Sequence, residues 1–186
     1  MDRNERTETR TRAEALFHPG DLGAALMLLS RIPAPSGLMS DRGARSAWAW
    51  PLVGAFLAAL SWAAGAAMLW LSLPPALAAG GTLATGALLT GALHEDGLAD
   101  CADGFWGGHT RERRLEILHD SRIGSYGVIA LVLVLGMKWI ALAFLFEAGA
   151  ALVGLLTVGM LSRAGMAGLM AALPFARQDG LAVHVG

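Results

Sequence analysis

The residues of this chain best equipped for chemistry lie between His94 and Gly108, in HEDGLADCADGFWGG. Glu95, Asp96, Asp100 and Asp103 fall within nine consecutive residues, after a run from Ser46 to Leu93 without one Asp, Glu, Lys or Arg. Read as a helix, the segment places Asp96, Asp100 and Asp103 at i, i+4 and i+7, within a sector of about 60° on one face. Carboxylates so close repel one another unless a cation sits among them, and hard oxygen ligands suit Mg²⁺, Mn²⁺ or Ca²⁺. A divalent-metal site at a membrane edge is the expectation for Asp96, Asp100 and Asp103. A solvated acidic cap on a helix end is the plainer alternative. His94 is a candidate metal ligand or proton carrier by position, ahead of His109 and His119, although a lone His is more often structural. Cys101 is the only cysteine, excludes an intrachain disulfide, and reads as a small buried filler.

Basic residues supply the complement. Lys138 and Arg163 interrupt apolar stretches, and each costs a few kcal/mol at a bilayer centre if left unpaired. They read either as binders of an anionic group such as phosphate or as snorkelling and ion-paired side chains. Asp120-Ser121-Arg122 stands where a polar segment returns to the membrane, so Asp120 and Arg122 are candidates to close over a phosphate. The cluster Arg111, Arg113, Arg114 reads first as a solvated face.

The elements that must position these groups are helical and apolar. The 186 residues are 55% hydrophobic and only 16% charged, with a formal net charge of −1 that gives no reason to expect nucleic acid as a partner. Residues 1–20 read as a polar, mobile cytosolic tail and a poor signal peptide. Asp21 to Ser30 is apolar but too short to span, and reads as a helix in the membrane interface. Four spans follow, over residues 48–73, 75–93, 126–146 and 148–173. Between the second and third lies a polar connection, 94–125, broken at Gly107-Gly108. Thr110 is placed to cap a second helix within it, with Glu112 in the first turn, and Gly124 and Gly127 are read as ending that helix. The fold class is therefore all-α, a polytopic helical membrane protein forming one domain over 21–186, with a helical acidic loop. Arg residues flank the first span, fill the 94–125 loop and follow the fourth span. The positive-inside rule then puts both termini and the acidic loop in the cytosol.

Carboxylates on one helix face, a divalent cation and nearby Lys or Arg make a phosphoryl- or nucleotidyl-transfer set. A further carboxylate can take the proton of an attacking hydroxyl. No strand-to-helix Gly-rich loop, zinc spacing or Ser nucleophile elbow is present.

His94-x-Asp96-Gly97-Leu98-Ala99-Asp100-x-x-Asp103-Gly104 resembles the signature of cobalamin synthases, the adenosylcobinamide-GDP ribazoletransferases. The likeness continues in order through SRIPAP at Ser30–Pro35, RERRLEILHDSRIGSYG at Arg111–Gly127, Lys138, Ser162-Arg163 and FARQDGL at Phe175–Leu181. It implies a Mg²⁺-dependent enzyme of the bacterial inner membrane. A hydroxyl of α-ribazole, or of its 5′-phosphate, would attack the cobinamide-linked phosphorus of adenosylcobinamide-GDP. GMP would leave, and adenosylcobalamin or its 5′-phosphate would form. On that reading Asp96, Asp100, Asp103 and His94 are the catalytic candidates, and Arg122, Lys138, Arg163 and Asp120 the phosphate-binding ones. Partners would be those substrates, the lipid bilayer, and copies of the chain or other cobalamin-pathway enzymes. Glu95 stands where the family often has an apolar or small residue. Family members usually run further, with more membrane helices and a second acidic Gly-Asp motif. The chain is thus expected to be a C-terminally truncated member, inactive alone if that motif shares in catalysis. A CDP-alcohol phosphotransferase-like enzyme is the runner-up, but Leu98-Ala99-Asp100 stands where that pattern has Ala-Arg. A cation-coupled transporter would prefer acids inside the spans.

Overall fold

A computed structural model describes residues 17–35, 42–120, 122–174 and 176. The expected tail up to residue 16, Ser121, Arg177 and nearly all of the Phe175–Leu181 element lie outside the described residues. Among the described residues every regular element is helical, as expected: α1 Gly20–Leu29, a 3₁₀ turn Gly43–Ala49, α2 Trp50–Trp70, α3 Pro75–Thr90, α4 Leu93–Gly107, α5 Arg111–Ile117, α6 Ser125–Glu147 and α7 Ala151–Ala172.

Among the described residues, three stretches are long and apolar enough to cross a membrane: Gly43–Trp70, Ser125–Glu147 and Ala151–Ala172. They correspond to the first, third and fourth expected spans. The second needs correction. It was expected over 75–93, yet α3 stops at Thr90 and the chain bends by 89° into α4. Sixteen residues cover about 24 Å, short of the ~30 Å hydrocarbon core. A fourth crossing exists only if α3 and α4 count as one broken span. The bend is built from backbone. Gly91 takes a left-handed conformation (φ 65°) and its N–H reaches the Leu88 carbonyl, while the Ala92 N–H bonds the Ala87 carbonyl at 2.7 Å. These two bonds close the end of α3, and glycine at the first left-handed position carries no Cβ penalty. Ala92 is left-handed too (φ 57°), and its carbonyl accepts the Asp96 N–H that starts α4.

The described residues gather into two compact units, one of those up to Ala59 and from Leu155 onward, the other of those in Leu60–Gly154. In the first unit Asp21, in the first turn of α1, is fully buried. Its Oδ2 accepts from Trp48 Nε1 (2.9 Å), the His18 N–H (3.2 Å) and Arg42 Nη1 (3.3 Å). A buried carboxylate needs such partners, and here they tie α1 to the turn that opens α2. The expected short apolar helix is therefore present, but its one acid is an internal tie. In the second unit α4 packs chiefly on α6, as does α3. The outer face of α6 leaves Val132, Leu133, Met137, Ile140 and Phe144 exposed, the pattern of a helix whose solvent is lipid.

Candidate active site

The acidic stretch is one helix, as its spacing predicts: α4 carries His94, Glu95, Asp96, Asp100 and Asp103. Gly107 ends it, and Gly108 N–H bonds the Gly104 carbonyl at 3.1 Å. The chain then turns through Thr110, whose hydroxyl accepts from the Arg113 N–H at 3.2 Å and starts α5, with Glu112 in its first turn. Arg114 secures the return. Its Nε donates to the Gly108 carbonyl at 2.9 Å, and its guanidinium stands 5.7 Å from the centre of the Phe105 ring. Leu118 comes down beside Gly104. This places the residues after α5 against the flank of α4.

The result is a cavity of about 230 Å³ lined by Asp96, Ala99, Asp100, Leu118, His119, Asp120, Arg122 and Ile123. It joins two elements that the sequence separates by some twenty residues. Asp120 and Arg122 face each other in a two-pronged pair, with Arg122 Nε to Asp120 Oδ1 at 3.1 Å and Nη2 to Oδ2 at 3.0 Å. The Arg122 backbone N–H also donates to Asp120 Oδ1, at 3.1 Å. These hydrogen bonds hold the Asp120 carboxyl below its ordinary range, and the pair lies open to solvent. Asp100 behaves in the opposite way. Burial, then the charges of Asp96 and Asp103, push its carboxyl above the ordinary 3.8. Burial is the larger cause, and the two neighbouring carboxylates add to it in the same direction.

Not every candidate reaches the cavity. Asp103 is on the same face but only 9% exposed, and both of its oxygens are engaged. Oδ2 accepts the Gly124 N–H at 2.7 Å and Oδ1 the Gly127 N–H at 2.9 Å. His94 is not among the lining residues, whereas His119, ranked lower from sequence, is. Lys138 sits thirteen residues into α6, about 20 Å from its start, and is exposed there. Arg163 is on α7, in the other unit, where its Nη1 donates to Ser162 Oγ at 2.9 Å. Gly124 and Gly127, read as ending the loop helix, instead begin α6, because α5 has already stopped at Ile117. The clue was available in the sequence. A long apolar helix opening on Gly124, which has no capping side chain, requires an acceptor from elsewhere.

The donor set suits a hard divalent cation in one mode. Among the described residues, no group of three His, Cys, Asp or Glu side chains is arranged to hold a metal ion. Asp96 and Asp100, one turn apart and both lining the cavity, make two carboxylates. Mg²⁺ is commonly bound by one or two carboxylates completed by water and substrate phosphate.

A family model described as cobalamin-5-phosphate synthase matches residues 21–186. A protein of Bradyrhizobium diazoefficiens named adenosylcobinamide-GDP ribazoletransferase is 45% identical over 172 residues, covering 89% of this chain and 65% of the relative. Proteins of Brucella canis and Brucella abortus with the same name are each 46% identical over 178 residues, covering 90% of this chain and 66% of theirs. The chain thus spans about two thirds of the length of these curated relatives. No solved structure matches.

Proposed function

The chain belongs to the cobalamin-5-phosphate synthase family, and on that footing we propose that it carries the diphosphate-binding part of a membrane transferase. The substrates would be adenosylcobinamide-GDP and α-ribazole or its 5′-phosphate, the relatives being named adenosylcobinamide-GDP ribazoletransferase. The observation that carries this reading is the cavity that sets Asp96 and Asp100 of α4 across from Arg122. Its volume of about 230 Å³ is of the size a diphosphate would need.

Asp96 and Asp100 would hold Mg²⁺, which when bound neutralises charge on phosphate oxygens and polarises the phosphorus. The chain's own groups do the remainder. Arg122, held by Asp120 through Nε and Nη2, would turn its remaining Nη1–Nη2 edge to the phosphate oxygens that collect charge as the bond breaks. The ribazole hydroxyl oxygen bonds to the cobinamide-linked phosphorus, and the bond from that phosphorus to the oxygen of GMP breaks. The hydroxyl proton passes to a basic group of the cavity, His119 or a carboxylate. Leu118, Ala99 and Ile123 supply the apolar part of the lining. The positive-inside pattern supports a cytosolic position for this site, the side on which nucleotides are available.

The test uses membranes carrying the chain, alone and joined to the remaining third present in its relatives, supplied with adenosylcobinamide-GDP, α-ribazole and Mg²⁺. Formation of GMP and cobalamin that stops on chelation of Mg²⁺ is the expected result. No Mg²⁺-dependent product from the extended chain would sink the assignment.

A further inference from the structure

We propose that Asp103 is a positioning residue rather than a metal ligand: from α4 it caps the start of α6, and so holds Arg122 opposite Asp96 and Asp100. Its two bonds go to the amides of Gly124 and Gly127, the N-cap position and the third residue of α6. In an ordinary capping box two side chains share these tasks, one reaching each amide. Here one carboxylate from a neighbouring helix serves both. Amide groups at a helix start carry partial positive charge, so an ionised acceptor is favoured there. Moving Asp103 onto a cation would strip two amides of their partner.

The glycines are shaped to this arrangement. A Cβ on Gly124 or on Gly127 would run into the Asp103 carboxylate, and one on Gly127 would also come within 3.1 Å of the Ala99 Cβ and carbonyl. The close approach therefore serves the carboxylate, not merely the helix packing. Arg122 lies two residues before Gly124, so fixing the start of α6 fixes the guanidinium relative to α4. Asp96 and Asp100 share one helix, and their spacing does not depend on the cap. Two binding events are thereby separated. A cation held by Asp96 and Asp100 alone is insensitive to the cap, whereas a phosphate spanning that cation and Arg122 depends on it. The second half rests on the diphosphate reading above; the cap does not.

The experiment uses the whole chain in lipid nanodiscs. Mn²⁺ binding is followed by electron paramagnetic resonance with and without inorganic pyrophosphate, and amide hydrogen exchange is read at Gly124 and Gly127. In the wild type both amides should be protected; exchange at the rate of open chain would overturn the cap. Asp103→Asn, which leaves one amide without an acceptor, should speed their exchange about tenfold or more, the equivalent of one lost charged hydrogen bond. It should leave the Kd for Mn²⁺ within about threefold and weaken pyrophosphate binding to the Mn²⁺-loaded protein about tenfold. Gly127→Ala, with the carboxylate retained, should reproduce that split. Asp96→Asn and Asp100→Asn should do the reverse, weakening Mn²⁺ binding with the two amides still protected. Loss of Mn²⁺ binding in Asp103→Asn with unchanged exchange would make Asp103 a ligand and refute the proposal. Absence of Mn²⁺ binding in the wild type would count against the metal reading alone, because exchange still decides the cap.

Discussion

Asp100 and Asp103 are the same residue type, three positions apart on one face of α4, and they live in opposite circumstances. Asp103 is buried yet satisfied, with an amide on each oxygen. Asp100 lines a cavity, and burial together with the charges of Asp96 and Asp103 raises its carboxyl above 3.8. A carboxylate that has found donors has been absorbed into the fold. One that has not, beside others of its kind, is under electrostatic stress that a ligand can relieve. The difference teaches that an acidic motif is not a unit. Its members are sorted by what the facing helix offers, and α6 offers two amides to one of them and none to the other.

The comparison breaks first at Asp100. Asp100→Asn should cut the Mg²⁺-dependent transfer about a thousandfold, or ~4 kcal/mol in transition-state terms, measured as GMP release by the extended chain. Activity near wild type would mean that the stressed carboxylate is idle. The locked end is probed next by Gly127→Ala. Its methyl group must displace the Asp103 carboxylate or Ala99, which should lower stability by about 2–3 kcal/mol in thermal unfolding. A neutral outcome would show that α4 and α6 are not held at the distance described.

Smaller effects sharpen the contrast. Ala92→Gly relieves a left-handed alanine at the bend that launches α4. It should raise stability by up to about 1 kcal/mol, the strain being partly offset by the greater freedom of glycine in the unfolded chain. Thr110→Ala removes the cap of α5 and should cost about 0.5–1 kcal/mol, seen as faster amide exchange over Arg111–Arg114. The smallest effect concerns pH. With divalent ions chelated, folded Asp100 takes up its proton at a higher pH than the unfolded chain does. Stability should therefore fall as pH rises through the interval just above 3.8. Asp100→Asn should flatten that slope and raise the melting temperature slightly at neutral pH. A fall in melting temperature would assign Asp100 a structural role like that of Asp103.

Much of the architecture is legible in the chain because it follows from local rules. The uncharged run from Ser46 to Leu93 and the apolar stretches after Ser125 state their own helices and lengths. Thr110 three residues before Arg113 states its cap, and Pro74-Pro75 states the start of α3. The second span is misjudged at its end because Gly91, Ala92 and Leu93 are as apolar as what precedes them. Hydropathy does not register a left-handed glycine. Lys138 is set apart from the acidic loop by its place along the helix: position along a helix sets depth, and about 20 Å of α6 separates Lys138 from Gly124.

What the sequence by itself determined is the kind of protein and the face of the helix: an all-α membrane chain of this family, with Asp96, Asp100 and Asp103 in one sector of α4. Periodicity and hydropathy are properties of neighbours along the chain, so the chain suffices to read them. Only the tertiary structure decided how those three acids divide. The amides of Gly124 and Gly127, and the Asp120–Arg122 pair, come from residues some twenty positions away, and a carboxylate's role depends on which donors reach it through space. Asp103 found its donors on α6; Asp96 and Asp100 were left facing the cavity.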